Sequence, residues 1–453
     1  MPFIPHTPED IKQMFDVLRG AEFSDLFDEI PTSIPRAELN NIPEGMNELT
    51  TAQHMDEIAN LHPKIKNYIG AGAYEHHIPA AVWDLVGRGE FMTAYTPYQA
   101  EASQGSLQLI YEFQSMITAL TKMDVSNASL YDGATALAEA VLMAIRSQKK
   151  SNNKRILMPQ TVHPHYRETV KAIVHQQGIE LIECPFDLTT GLVDQVKLEK
   201  LDADSFSALV IPFPNFFGNL ESVDALTDWA HAHDALVIAV VNPMALGLLK
   251  APGDWGVKGA DIVCGELQPF GMPLASGGPY AGMMCCRQEL VRQMPGRIVG
   301  QTVDQEGKRG FVLTLQAREQ HIRRSKATSN ICTNQGLLVT AATIYVSLLG
   351  PQGLRATALK SHQNTQALLA LLKEINITSV FSAPYFHENV VRIPHAQEVA
   401  RQLAEKGILI GLCLENYYPD YPALKDCVLV CVTETKTDND LRAYCNALQG
   451  KKS

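Results

Sequence analysis

Two apolar runs decide the fold: "SALVIPFPN" at residues 207–215 and "ALVIAVVNP" at residues 235–243. They are short, rich in β-branched residues, without polar alternation, and separated by an amphipathic segment typical of a helix. Similar runs flank them, "RILMP" at 155–159, "IELIECP" at 179–185 and "DIVCGELQ" at 261–268. The series predicts parallel strands covered by helices on both faces, as in a doubly wound α/β domain.

Three domains are predicted along the chain. Residues 1–60 form an N-terminal arm of short helices, because helical spacing begins at Thr7 and is soon broken by prolines. Residues 61–330 form the large α/β domain, with one further, antiparallel strand expected in "GPYAGMMCCR" at 278–287. Residues 331–453 form a smaller α+β domain, since a long helix precedes strand-like runs of a second, antiparallel sheet. The helices between the parallel strands are predicted at 163–177, 192–201 and 222–233.

The composition argues against two classes of partner. Acidic residues outnumber basic ones by 49 to 38, giving a formal charge of −11, and no basic stripe suits nucleic acid. Residues 327–354 carry no charge, but polar side chains fill the first part and leave about sixteen apolar residues, too few to span a membrane. The N-terminus has no basic region before an apolar core, so we expect no signal peptide and a cytoplasmic location.

The nine cysteines form no C-x-x-C pair, and most lie in apolar runs. This pattern favours reduced thiols in the core of a cytosolic protein over a disulfide framework. A zinc site is the alternative, with His163 and His165 or His231 and His233 as ligands. Neither pair has two further ligands at metal spacing, so no metal is expected.

The segment "NASLYDGATALAEAVLMAI" at 127–145 predicts a helix that begins with small residues. The backbone N–H groups of its first turn, from Gly133, Ala134 and Thr135, suit a phosphate group. Asp132 equally suits a helix cap, and the alanines suit close helix packing. On these residues alone, capping is favoured over ligand binding.

Two neighbouring strands end without the groups that a pyridoxal-phosphate site needs. Carboxyl ends of parallel strands face the crevice where ligands of open α/β sheets bind. Asn242 is expected there, but a neutral amide supplies no charge for a protonated pyridine nitrogen, so we expect it to cap the loop before Pro243. The next strand opens onto "GELQPFG" at 265–271, in a layout typical of a Schiff-base lysine. Gln268 and Pro269 occupy that place, and neither can form an imine.

The turn "AYTPYQAEASQG" at 94–105 gathers aromatic and polar side chains before a helix. Such a turn serves either as a surface staple or as a loop that contacts substrate. The residues concerned are Tyr95, Tyr98, Gln99 and Glu101.

Positive charge is concentrated in residues 314–335, although the chain as a whole is acidic. A solvated helix face and a clamp for phosphate or carboxylate are the two interpretations. The basic residues are Arg318, His321, Arg323, Arg324 and Lys326.

Four motifs give the chain a family resemblance: "YTPYQ" at 95–99, "NASL" at 127–130, "MPGRIVG" at 294–300 and "REQHIRRSKATSNICT" at 318–333. With them the sequence resembles the P-protein family of the glycine cleavage system, glycine decarboxylase, over essentially its whole length. The motif order is that of the amino-terminal half of a long P-protein, or of the separate first subunit where the enzyme is divided. The resemblance implies the fold-type-I architecture of pyridoxal-phosphate enzymes, like that of aspartate aminotransferase.

The resemblance also implies an active site shared by two subunits. In the family a lysine-bearing second subunit holds pyridoxal 5′-phosphate, glycine loses CO₂ with the cofactor ring as electron sink, and the aminomethyl group passes to the lipoyl arm of H-protein. Gln268 and Pro269 match the His-Lys positions of that subunit, and Asn242 matches its pyridine-binding aspartate. This chain is therefore expected to hold no covalent cofactor, to be inactive alone, and to act in a heterodimer or heterotetramer.

By the same resemblance, this chain completes the site of its partner. A loop with Tyr95, Thr96, Tyr98, Gln99 and Glu101 is expected to face the partner's pocket. Lys326, Thr328, Ser329 and Asn330 are candidates for the partner's phosphate site. Any phosphate held by Gly133, Ala134 and Thr135 would lie noncovalently in a vestigial pocket.

Two other functions compete with that of an enzyme subunit. One is an inert scaffold or regulatory subunit that keeps the fold and only docks partners. The other is a free-standing pyridoxal enzyme that uses another lysine.

Overall fold

The structure is a computed structural model, and it describes residues 6–18, 22–35, 40–61, 64–148, 154–200 and 206–450. Met1–Pro63 and Lys64–Ser453 are two separate units. The first contains helices α1 (Pro8–Val17) and α2 (Glu48–Asn60). The predicted start of α1 is confirmed, because the Thr7 hydroxyl accepts the Asp10 N–H and the Asp10 carboxylate accepts the Thr7 N–H.

The second unit contains all the strands that the structure describes. They are β1 (Lys66–Asn67), β2 (Val125–Ser126), β3 (Arg155–Pro159), β4 (Glu180–Cys184), β5 (Ala208–Phe213), β6 (Leu236–Val241), β7 (Ile262–Glu266), β8 (Gly282–Cys286), β9 (Ile298–Val303), β10 (Arg309–Thr314), β11 (Glu388–Arg392), β12 (Ile408–Leu409), β13 (Leu412–Cys413) and β14 (Cys427–Cys431). Its helices are α3 (Ala81–Val86), α4 (Gln104–Thr121), α5 (Gly133–Ser147), α6 (Pro164–Val174), α7 (Gln195–Leu198), α8 (Val223–Ala232), α9 (Gln320–Arg323), α10 (Gly336–Glu374), α11 (Ala396–Ala404) and α12 (Asp438–Leu448).

The central sheet has seven strands in the order β2-β8-β7-β6-β5-β3-β4. The five strands β3, β4, β5, β6 and β7 are parallel, and β8 and β2 are antiparallel to their neighbours. All five predicted parallel runs and the predicted antiparallel strand are confirmed. The helix predicted at 192–201 is shorter in the structure, where α7 covers Gln195–Leu198. The last residue of the predicted range, 201, lies outside the described part of the chain.

Both faces of this sheet are covered by helices, as predicted. Helix α5 packs with α6 on one face, where the small residues of "GATALAEA" allow the helix to lie close to β7. Helices α4, α8 and α10 contribute to the core on the other face. All nine cysteines are free thiols and seven are buried, which confirms their prediction as core residues.

Smaller sheets follow in the chain. Strands β9 and β10 form an antiparallel hairpin, and β11, β14 and β13 form the predicted antiparallel sheet near the C-terminus. Strand β12 instead pairs in parallel with β1, far away in sequence. The predicted boundary at residue 330 stays a prediction, because Lys64–Ser453 is a single unit.

Helix α10 is long and apolar enough to cross a membrane by composition, although 44% of its most apolar window is buried in the protein. Its first half places Leu338, Val339 and Tyr345 in the core beside the sheet. Gly350, with φ of +58°, interrupts the helical backbone directly before Pro351. Such packing is typical of a buried core helix, as predicted from the sequence.

Candidate functional site

The crevice at the carboxyl edge of the sheet brings together the residues that the sequence placed at strand ends. Asn242 follows β6, Glu266 ends β7, and Pro269 lies three residues further on. Together with Tyr74, His163, Tyr166 and Glu388 they line a cavity with a volume of about 70 Å³. Pockets for small ligands usually have volumes of about 300 to 1,000 Å³, so side chains already fill most of this crevice.

The N-terminus of α5 is occupied by groups of the protein itself. Asp132 is the helix cap, and its carboxylate accepts the Thr135 N–H at 2.8 Å. The Gly133 N–H donates to Glu266 Oε2 at 2.9 Å. Capping, the favoured interpretation of this segment, is therefore confirmed, and Glu266 takes an N–H group that a phosphate would need.

Gln268 is buried and fully hydrogen-bonded within the chain. Its amide oxygen accepts the Tyr74 N–H at 2.7 Å, and its amide nitrogen donates to the carbonyl oxygens of Tyr74 and Met272 at 2.9 and 2.8 Å. The Tyr74 hydroxyl donates to Glu388 Oε2 at 2.8 Å, while Glu388 Oε1 accepts the Ala71 N–H at 2.7 Å. Gln268 thus holds the segment 71–74 against the loop after β7.

Asn242 caps its own loop, as expected. Its Oδ1 accepts the Met244 N–H at 2.9 Å, and its Nδ2 lies 3.4 Å from Nε2 of His387. Burial lowers the pKa of His387 far below its ordinary value, with smaller contributions from His76 and His362, so this imidazole is neutral. A neutral amide beside a neutral imidazole provides no negative charge at this strand end.

Buried carboxyl groups and a buried imidazole line the same crevice. Burial raises the pKa of Glu266 to about 8, against the opposing effect of the N–H groups of Gly133, Gln268 and Ala281. Burial likewise raises the pKa of Glu388 to about 7 and lowers that of His163 to about 4. Neither glutamate was predicted from the sequence, although Glu266 is an isolated acid in an otherwise apolar strand and Glu388 is the single acid of β11. That pattern could have marked them.

These residues do not fit pyridoxal 5′-phosphate. The chain places no lysine at the loop after β7, and Glu266 and Tyr166 crowd the Gly133 backbone where the phosphate would bind. No group of three or more His, Cys, Asp or Glu residues in the described ranges is arranged for a metal ion. His231 instead bonds to Asp261, and His163 bonds to the Ala71 carbonyl.

The turn that carries the tyrosines lies on the surface. Tyr95 is 88% exposed, and Gln99 and Glu101 are exposed beside it. Tyr98 is half-exposed, and its ring centroid lies 5.5 Å from the Arg297 guanidinium and 5.0 Å from the centroid of the His321 ring. Tyr95 is therefore available to a partner, whereas Tyr98 attaches the turn to the rest of the protein.

Arg297, which was not predicted as a site residue, connects this turn to the C-terminal end of the basic segment 314–335. Its guanidinium donates to the Tyr98 hydroxyl at 3.2 Å, to Thr333 Oγ1 and Asn334 Oδ1 at 3.2 Å, and to the Cys332 carbonyl at 2.9 Å. The side chain is only 3% exposed and lies 3.7 Å from the buried carboxylate of Glu319. The motif "MPGRIVG" contained this residue, but its spacing gave no sign of these contacts.

The basic segment contains one half-buried arginine, Arg318, among exposed cations. Its guanidinium donates to the backbone carbonyls of Met294 and Gly296, so Arg318 fits neither a solvated helix face nor a clamp for phosphate or carboxylate. Lys326 and Asn330 are exposed, and Thr328 and Ser329 are half-buried, with the Thr328 N–H bonded to the Arg318 carbonyl. Their roles in a partner's phosphate site stay a prediction.

Replacing Glu388 with glutamine is expected to reduce the pH dependence of stability. A buried carboxyl with a raised pKa stabilises the fold fully below its unfolded pKa of 4.5, and this contribution is lost as pH rises through about 7. Between pH 4.5 and 7 the unfolding free energy of the wild type should therefore fall relative to that of Glu388→Gln, by about 1.4 kcal/mol per pH unit. Urea unfolding across this range measures the difference, and parallel curves would contradict the assignment.

Comparisons with known proteins agree with this fold. The family described as "Glycine cleavage system P-protein" matches residues 1–448. Proteins named "Probable glycine dehydrogenase (decarboxylating) subunit 1" from Thioalkalivibrio sulfidiphilus and Coxiella burnetii are each 59% identical, over 99% of this chain and 99% of the relative.

A crystal structure of inhibitor-bound glycine decarboxylase (P-protein) of the glycine cleavage system superposes with a TM-score of 0.88 at 39% identity, covering 99% of this chain and 100% of that one. A sphingosine-1-phosphate lyase from Burkholderia pseudomallei shares the fold alone, with a TM-score of 0.64 at 15% identity over 94% and 93% of the two chains. The architecture is that of fold-type-I pyridoxal-phosphate enzymes. The chain belongs to the glycine cleavage system P-protein family.

Proposed function

We propose that this chain is the non-lysine subunit of glycine decarboxylase, the P-protein of the glycine cleavage system. The observation that carries the proposal is the filled crevice: Gln268 and Pro269 replace a lysine, and Glu266 occupies the helix N-terminus. A chain of this family without a usable cofactor site acts through a second, lysine-bearing subunit, in a heterodimer or heterotetramer. The expected location is the cytoplasm, which agrees with nine free thiols.

In the assembled enzyme, the partner holds pyridoxal 5′-phosphate, which supplies the electron sink for decarboxylation of glycine. The aminomethyl group then passes to the lipoyl arm of H-protein. This chain contributes binding and orientation. The exposed tyrosine turn offers the Tyr95 hydroxyl, and Lys326 with Thr328, Ser329 and Asn330 offers a cation and hydrogen-bond donors for a phosphate group.

Reconstitution tests the proposal. The purified chain, a lysine-bearing second subunit and lipoylated H-protein are combined, and glycine decarboxylation is measured with each component omitted in turn. We expect activity only when both subunits are present. The chain alone, mixed with pyridoxal 5′-phosphate, should give no imine absorbance and no borohydride-reducible adduct. Full activity of the second subunit without this chain would instead support an inert scaffold, and an adduct on a lysine of this chain would support a free-standing enzyme.

Removing the hydroxyl of Tyr95 or of Tyr98 is expected to lower turnover without preventing assembly. Tyr95 is exposed enough to reach a partner, so Tyr95→Phe removes only a donor at the partner's site. Loss of one positioned donor commonly costs about 10²-fold or more in rate. Glycine–CO₂ exchange and size-exclusion chromatography of the complex measure the two properties. Tyr111→Phe, in α4, is the control, and unchanged exchange in both variants would reject the role of the turn.

A further inference from the structure

Glu266 has an unusual place for an acidic side chain. It ends β7 in the middle of the sheet and is only 9% exposed. Both carboxyl oxygens are used: Oε2 accepts the Gly133 N–H at 2.9 Å, and Oε1 accepts the N–H groups of Gln268 at 3.0 Å and Ala281 at 3.3 Å. All three donors belong to the backbone, so no basic side chain explains why an acid is buried here.

The three donors converge on one carboxyl group, as backbone N–H groups do around a bound oxyanion. Gly133 begins α5, a helix of 15 residues, and the N-terminus of such a helix favours negative charge. Gln268 and Ala281 approach from two loops on the other side of the carboxyl group. Backbone N–H groups that converge in this way are the usual donors to a phosphate group, and a carboxyl group can accept the same hydrogen bonds.

No room remains for a phosphate beside the glutamate. A Cβ atom built at Gly133 would lie 2.9 Å from the Glu266 nitrogen and 3.0 Å from the Glu266 Cβ, and it would also meet the Tyr166 hydroxyl. The cavity next to these groups measures about 70 Å³. Glycine at position 133 is therefore required by the packing of β7 and Tyr166 against the helix, even without a ligand.

We propose that the carboxyl group of Glu266 is a built-in replacement for the phosphate of a cofactor, and that it keeps the crevice of this subunit closed to phosphate-bearing ligands. In its ionised form the side chain supplies two acceptor oxygens to the three N–H groups that a phosphate would otherwise satisfy, and these three hydrogen bonds favour that form against the effect of burial. Removing it leaves these buried donors unpaired, which creates an oxyanion site in this chain. This inference does not depend on the proposed function.

The test uses the full-length chain, inorganic phosphate as the probe, and Glu266→Ser. The melting temperature of Glu266→Ser should rise with phosphate concentration and saturate, because a ligand that binds only the folded state stabilises it. The wild type should not respond over the same concentrations. Glu221→Ser is the matched control, since Glu221 is a buried carboxyl that accepts the Val193 N–H away from α5. A response of the wild type equal to that of Glu266→Ser would overturn the proposal, as would a folded Glu266→Ser without a response.

Glu266→Gln provides a second measurement if the serine variant does not fold. The amide keeps the size of the side chain but offers one acceptor oxygen in place of two. Hydrogen exchange of peptides containing Gly133 and Ala281 should accelerate at least about tenfold for one of them, and phosphate should not restore its protection, because the amide still fills the site. Wild-type protection of both peptides in Glu266→Gln would overturn the proposal. Decarboxylation by the reconstituted enzyme is a separate assay, so failure of the proposed function is distinguishable from failure here.

Discussion

Replacing Arg297 with methionine is expected to lower glycine–CO₂ exchange by the reconstituted enzyme by about a hundredfold or more, because a displacement of about 1 Å in positioned groups can cost that much. Arg297 holds Tyr98 on one side and residues 332–334 on the other through four hydrogen bonds. Tyr98 belongs to the surface that we propose for the partner's site, and residues 332–334 begin two positions after Asn330, the last residue proposed for that surface. Arg297 is a positioning residue, and its loss releases the two segments from each other.

Two further variants separate this role from a general loss of folding. Arg297→Lys keeps the charge beside Glu319 but cannot make the same fork of hydrogen bonds, so its activity should lie between those of the wild type and Arg297→Met. Arg292→Met, an exposed arginine nearby, should leave exchange unchanged. The rate constant and the KM for glycine are measured separately, together with unfolding curves. A stably folded Arg297→Met complex with wild-type exchange would refute the positioning role.

Gln268→Met is expected to lower the unfolding free energy by about 2 kcal/mol or more. Methionine has nearly the volume of glutamine, but it leaves the Tyr74 N–H and the Met272 carbonyl unpaired, whereas the Tyr74 carbonyl keeps the His76 N–H as its donor. Each buried polar group left unpaired costs about 1 to 3 kcal/mol. Gln268, in the loop after β7 where related subunits carry a lysine, would then be needed for the fold of this subunit, independently of catalysis.

Denaturant unfolding of the full-length chain measures this effect. Gln288→Met, at an exposed position after β8, makes the same chemical change and should alter stability by less than about 0.5 kcal/mol. Equal unfolding midpoints for wild type and Gln268→Met would show that the segment 71–74 does not depend on this amide.

The sequence alone determined the fold and the family. The five apolar runs of the parallel sheet are continuous because both faces of each strand are buried, and that signal is local. The helix start at Asp132 could also be predicted from the sequence, since a helix cap depends on residues only three positions apart in the chain. The absence of lysine at Gln268–Pro269 and of an aspartate at Asn242 also needed no structure, because the chemistry of a side chain is fixed by its identity.

Only the tertiary structure decided how the crevice is filled and what holds the tyrosine turn. Glu266 and Gly133 are separated by 133 residues, and Tyr98 and Arg297 by 199, so neither contact leaves a periodic pattern in the sequence. A buried carboxyl is unfavourable without hydrogen-bond donors, and here the donors are backbone N–H groups that carry no residue-specific signal. The sequence therefore indicates which groups the crevice lacks, whereas the folded chain determines which groups take their place.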